Sequence, residues 1–88
     1  MPYRVMRYEE TPNPNALKCI LDRAISEHPK SFRSRDAAAG DALAEALFGV
    51  EGVAVLLMNG DWMTINKAPA AGWKSVKSGV ERVLSQAP

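Results

Sequence analysis

Pro12 and Pro14 stand close together between two runs in which apolar and polar residues alternate. Each proline removes a backbone N–H donor and holds the residue before it in an extended conformation. Neither a helix nor an unbroken strand passes through Thr11-Pro12-Asn13-Pro14-Asn15. The chain must turn here, and the flanking runs must be separate strands. Asparagine side chains bond readily to nearby backbone, so an ordered turn is expected rather than a loose tether. Tyr3–Glu9 reads as the first strand and Ala16–Asp22 as the second. In the second, Leu17, Cys19 and Leu21 share one face, and Lys18, Ile20 and Asp22 share the other. So short a connection predicts an antiparallel hairpin.

Further along, Arg23–Gly40 is polar and irregular, with a short edge strand expected over Ser31–Ser34 and a helical turn over Arg35–Ala39. Asp41 is a suitable N-cap for a helix whose buried stripe is Ala42, Leu43, Ala46 and Leu47. Gly49 is expected to end it in the left-handed conformation, and Gly52 to give the next bend. Val53–Met58 is a third strand. Asn59-Gly60-Asp61 predicts a tight hairpin into a fourth, Trp62–Lys67. Met63 and Ile65 lie on one face of that strand, Trp62, Thr64 and Asn66 on the other. After Pro69 and Gly72, a last helix runs Trp73–Gln86, its stripe formed by Trp73, Val76, Val80, Val83, Leu84 and Ala87.

The order ββαββα argues against a doubly wound parallel fold. It predicts an α+β two-layer sandwich: a mostly antiparallel four-stranded sheet with two helices on one face. Leu17, Leu21, Leu43, Leu47, Met63, Ile65, Trp73, Val76, Val80 and Leu84 form its expected core. At 88 residues the chain is a single domain, 1–88.

Charge and composition narrow the function. Eleven basic and ten acidic residues give a net charge of +1, so no basic footprint calls for nucleic acid. The longest apolar run, Val53–Met58, is too short to span a bilayer, and the N-terminus lacks the apolar segment of a signal peptide. One cysteine forms no intrachain disulfide, which fits a reducing compartment. The expected location is the cytoplasm, of a bacterium, with no membrane association.

Chemistry is sparse. The one cysteine, Cys19, and the one histidine, His28, supply no closed metal site. Cys19 falls on the apolar face of a strand, as a buried structural thiol would, and His28 falls in the polar loop. Glu9 and Glu10 point to opposite faces of an extended strand, so they do not act as a pair. Gly49, Gly52 and Gly60 each have a turn to make and build no phosphate loop. The chain reads as a non-enzyme without cofactor or metal. The rival from another class is a thiol redox enzyme using Cys19.

The run Glu10-Thr11-Pro12-Asn13-Pro14-Asn15-Ala16-Leu17-Lys18 resembles the opening signature of the N-terminal domain of Nfu/NifU iron–sulfur scaffold proteins. Ala42-Leu43-Ala44 with Leu47-Phe48 and Gly52-Val53, then Asp61-Trp62-Met63-Thr64-Ile65-Asn66-Lys67, resemble later blocks of the same family, and Trp73 falls where the family has a tryptophan. The likeness runs from about Val5 to Leu84. Cys19 replaces a phenylalanine frequent in the family, and Asn66 a threonine. Larger members carry a further domain with a CxxC motif, a motif not found in these 88 residues; their start and finish suggest, as an expectation, a complete small protein. The resemblance implies a protein-interaction module in iron–sulfur cluster assembly, acting on a scaffold, carrier or client. A regulatory or stress-linked binding domain sharing the fold is the alternative.

The interaction surface is expected on the sheet face turned away from the helices. Lys18 and Thr64 lie opposite the core faces of their strands, and Trp62 offers an apolar anchor beside them. Aromatic anchors ringed by polar groups are a common interface design. The proline-stiffened turn adds the amides of Asn13 and Asn15. Asn13, Asn15, Lys18, Trp62, Thr64 and Lys67 are therefore the expected partner-binding residues, in a protein that works as a monomer.

Overall fold

The computed structural model describes residues 2–87; Met1 and Pro88, the ends of the expected domain, lie outside them. Five strands and two α-helices follow one another as β1 (Val5–Glu10), β2 (Ala16–Leu21), β3 (Ser26–Phe32), α1 (Ala42–Phe48), β4 (Val53–Gly60), β5 (Trp62–Lys67) and α2 (Trp73–Ser85). A 3-10 turn at Asp36–Ala38 precedes α1. The strands form one sheet in the order β1-β2-β5-β4-β3, and every neighbouring pair is antiparallel.

The α+β class and the antiparallel hairpins agree with the sequence. The strand number does not: the sheet has five strands rather than four. The added strand, β3, covers Ser26–Phe32, so it begins well before the short edge strand expected at Ser31–Ser34. Pro29 and the polar residues Glu27, His28, Lys30 and Ser31 hide it from an alternation reading. An edge strand tolerates both, because one side of its backbone needs no partner.

The first turn closes as its composition demands. The Ala16 amide donates to the Asn13 carbonyl (3.0 Å), and the Asn15 amide to Asn13 Oδ1 (2.9 Å). Asp41 caps α1 by accepting from the Ala44 amide at 3.0 Å. Gly49 is not left-handed: its φ is −70°, and its amide still donates back to Glu45 and Ala46. The left-handed residue after α1 is Gly52, at φ +98°, where a Cβ would lie 2.7 Å from that of Ala71. The second hairpin falls at Asn59-Gly60-Asp61 as expected, with a loop one residue shorter. Asn59 pairs with Trp62, so Gly60 and Asp61 form the loop, and only Gly60 takes a positive φ (+60°). A two-residue turn with glycine at its first central position is the type II′ pattern, which suits strand twist.

One hydrophobic cluster gathers Cys19, Leu21, Met58, Leu56, Met63 and Ile65 from the sheet with Leu47 and Phe48 of α1 and Val76, Val80 and Leu84 of α2. Burying each large side chain is worth roughly 1.5–3 kcal/mol. Leu43 and Trp73, expected in the core, pack only partly buried against it.

Candidate functional site

The six expected contact residues fall into two groups rather than one patch. Register places Lys18 opposite Thr64 and Ile20 opposite Trp62 across β2 and β5. On the other side of β5, Leu57 stands opposite Thr64 and Asn59 opposite Trp62. Lys18, Ile20, Leu57, Trp62 and Thr64 are all partly exposed, whereas the alternate residues Cys19, Met58 and Met63 are buried. Diagonal neighbours on antiparallel strands come within reach of long side chains. Accordingly, the Lys18 ammonium lies 4.6 Å from the centroid of the Trp62 ring. Such a contact contributes about 0.5–1 kcal/mol at an exposed site and fixes both side chains. Beside it, Arg7 Nε donates to Glu9 Oε2 at 3.0 Å. The result is a small apolar surface of Ile20, Leu57 and Trp62 with the Lys18 ammonium over the Trp62 ring.

Lys67 belongs to the second group. It is an odd position in β5, on the same side as Met63 and Ile65, and its ammonium donates to Asn15 Oδ1 at 3.0 Å. The carbonyls of Ala68 and Pro69 lie 3.5 Å away, and the Trp73 ring centroid 5.7 Å. Trp73 in turn donates its indole N–H to the Pro14 carbonyl at 3.1 Å. The Thr11 hydroxyl sits 2.9 Å from the Asn13 carbonyl and 3.0 Å from that of Ala16. These bonds pin the proline turn to the start of α2. Asn15 Oδ1 and the Lys67 ammonium are spent on that attachment, while Asn13 stays exposed at the tip. The role of Trp73 as a clasp was not legible from its place in a helical stripe.

Cys19 is fully buried. Burial, and then the charge of Glu81, push its thiol up to about 12 from an ordinary 9.0, although Lys77 pulls the other way. Tyr8, opposite Cys19 in the sheet, donates its hydroxyl to the Glu81 carboxylate, and burial with that bond raises it as well. His28 lies exposed in β3 rather than in a loop. Three strand spacings, about 14 Å, separate β2 from β3, so no thiol–imidazole pair forms. Among the described residues, no three His, Cys, Asp or Glu side chains are grouped to hold a metal ion. No helix of the described residues is long and apolar enough to cross a membrane.

The fold and its surface thus define an α+β domain with a cation over a partly exposed tryptophan and a buried thiol. The family described as "Scaffold protein Nfu/NifU N terminal" matches residues 6–87. The chain belongs to this family. Its relatives include the Drosophila virilis "NFU1 iron-sulfur cluster scaffold homolog, mitochondrial", 36% identical over 86% of this chain and 26% of that protein. The Drosophila ananassae protein of the same name is 35% identical over 86% of this chain and 27% of its own length. The chain thus spans about a quarter of the length of these relatives. Among solved structures, the Staphylococcus aureus protein SAV1430 superposes with a TM-score of 0.77 at 26% identity, covering 91% of this chain and 96% of that one. A NifU-like protein from Saccharomyces cerevisiae gives 0.76 at 25% identity, over 91% and 74%.

Proposed function

We propose that this domain is a non-catalytic protein-interaction module of iron–sulfur cluster assembly. It engages a scaffold, carrier or client protein through the sheet face that carries Lys18, Trp62 and Thr64. In this reading both helices lie on the opposite face, and the exposed tip of the turn at Asn13, shaped by Asn15 and Lys67, contributes from the end of the sheet. The observation that carries the reading is the Lys18–Trp62 contact, 4.6 Å, among partly exposed apolar residues in a domain of this family. An aromatic anchor already held in place loses little side-chain entropy on binding.

The burial of Cys19 and its raised pKa oppose the thiol-enzyme alternative, because the thiolate is the reactive form. The domain acts as a monomer, without nucleic acid or membrane. One cysteine fits a reducing compartment, the cytoplasm in this reading; "mitochondrial" belongs to the names of the fly relatives.

A photo-crosslinking residue at position 64, with one at exposed Ser78 of α2 as control, tests the reading in cells. The expected capture from position 64 is a protein of cluster assembly. Regulatory proteins recovered in its place favour the stress-linked alternative. Equal capture from both positions removes the sheet face as the interface.

A further inference from the structure

β1 is an edge strand, and β2 is its single hydrogen-bonded neighbour among the described residues. From Arg7 to Glu10 it runs in unbroken register with Ile20 to Leu17. Beyond that ladder, no backbone group of Met6–Glu10 joins a hydrogen bond among the described residues. Alternate N–H and C=O groups of such a strand point outward, forming a template for another strand. The opposite edge is a poorer template. β3 contains Pro29, and its register with β4 slips between Ser26 and Lys30.

Two side-chain features flank the β1 edge. Met6, at the register shift between Val5 and Arg7, is 58% exposed, the one large hydrophobic left exposed among the described residues. At the other end a cleft of about 340 Å³ opens between the proline turn and α2. Ala16 and Leu17 line it from the sheet, Pro12 from the turn, and Trp73 and Lys77 from α2. Four residues of extended chain, about 13 Å, separate Met6 from Glu10 at the cleft. Arg7 is paired with Glu9, while Glu10 has no ion pair among the described residues.

We propose that the outer edge of β1 accepts an extended segment of a protein partner as a sixth strand. Its backbone bonds to Arg7–Glu10, and an apolar side chain enters the cleft beside Trp73. Main-chain bonds then supply affinity and the cleft supplies selectivity, as in other strand additions. Glu10 favours a segment with a basic residue near that apolar one. This edge adjoins the Lys18–Trp62 face, since Arg7 and Glu9 stand opposite Ile20 and Lys18, but its bonds come from the backbone, and either surface can fail without the other.

The test uses random linear peptides displayed on phage and selected on the whole chain, followed by amide hydrogen exchange with a selected peptide bound. Slowed exchange within Arg7–Glu10, with the amides of β3 unchanged, is the expected result. Met6→Lys places a charge on an exposed edge position and should weaken the peptide by about tenfold or more. Trp62→Ala should leave it unchanged. Failure to select any peptide overturns the proposal, as does protection confined to β3 or to the Lys18–Trp62 face. A concentration-dependent dimer with Arg7–Glu10 protected also overturns it, by putting a second copy of the chain at the edge.

Discussion

Two opposing effects meet at Gly79, in the middle of α2. Alanine in a helix interior is more favourable than glycine by about 1 kcal/mol. A Cβ at this position, however, would lie 2.6 Å from Val50 Cγ1, 3.3 Å from Cγ2 and 3.5 Å from Cβ. Turning the valine so that its Cβ hydrogen takes the place of Cγ1 still leaves a methyl at the 3.3 Å position, so the contact is eased but not removed. Either α2 or the segment after α1 must shift, and overpacking of this kind costs about 1–3 kcal/mol. With a mid-range cost near 2 kcal/mol, Gly79→Ala should destabilise the domain by about 1 kcal/mol net. In a Val50→Ala background the obstructing methyls are gone, and the same substitution should stabilise by about 1 kcal/mol. The coupling between the two sites is then about 2 kcal/mol. Urea titration of the four proteins, followed by tryptophan fluorescence, measures it. If Gly79→Ala alone gains the full helix-propensity increment, the contact between α2 and Val50 is not as described and the argument fails.

Ile65→Ala or Leu47→Ala, each at a buried core position, should cost about 2–5 kcal/mol, read as a lowered urea midpoint. Lys67→Met removes the donor to Asn15 Oδ1 while keeping the stem; it should cost about 1 kcal/mol and speed amide exchange at Asn15 and Ala16. Cys19 should react slowly with iodoacetamide at neutral pH. Its folded-state pKa is raised, to about 12, so its contribution to stability is fully present below the ordinary value of 9.0 and is lost as pH rises toward 12. Denaturation from pH 8 upward checks the sign: parent should lose stability more steeply than Cys19→Ala.

Local chemistry made much of this fold legible. Proline spacing located the first turn, Asp41 the start of α1, and the alternation in β2 and β5 the buried face. What was not legible depends on partners distant in sequence. Val53–Met58 is apolar at every position, so alternation does not say which side is core. Pairing with β5 decides it, turning Leu56 and Met58 inward and leaving Val55 and Leu57 partly exposed. The same pairing takes Asn59 into the strand and leaves Gly60-Asp61 as the hairpin loop. β3 was obscured by Pro29 and by charges that an edge strand carries without penalty. Lys67 was grouped with Lys18 and Thr64 although its odd position in β5 turns it the other way, toward Asn15 and Trp73.

Calorimetric titration of the protein captured from position 64 into the parent, Trp62→Ala and Lys18→Glu tests the proposed interface most directly. Both substitutions fall on partly exposed positions, and thermal melts are to check that each variant is folded before titration. Each should bind at least about tenfold more weakly, a loss of about 1.4 kcal/mol or more. Two folded variants that bind as tightly as the parent would contradict the assignment of this face to partner recognition.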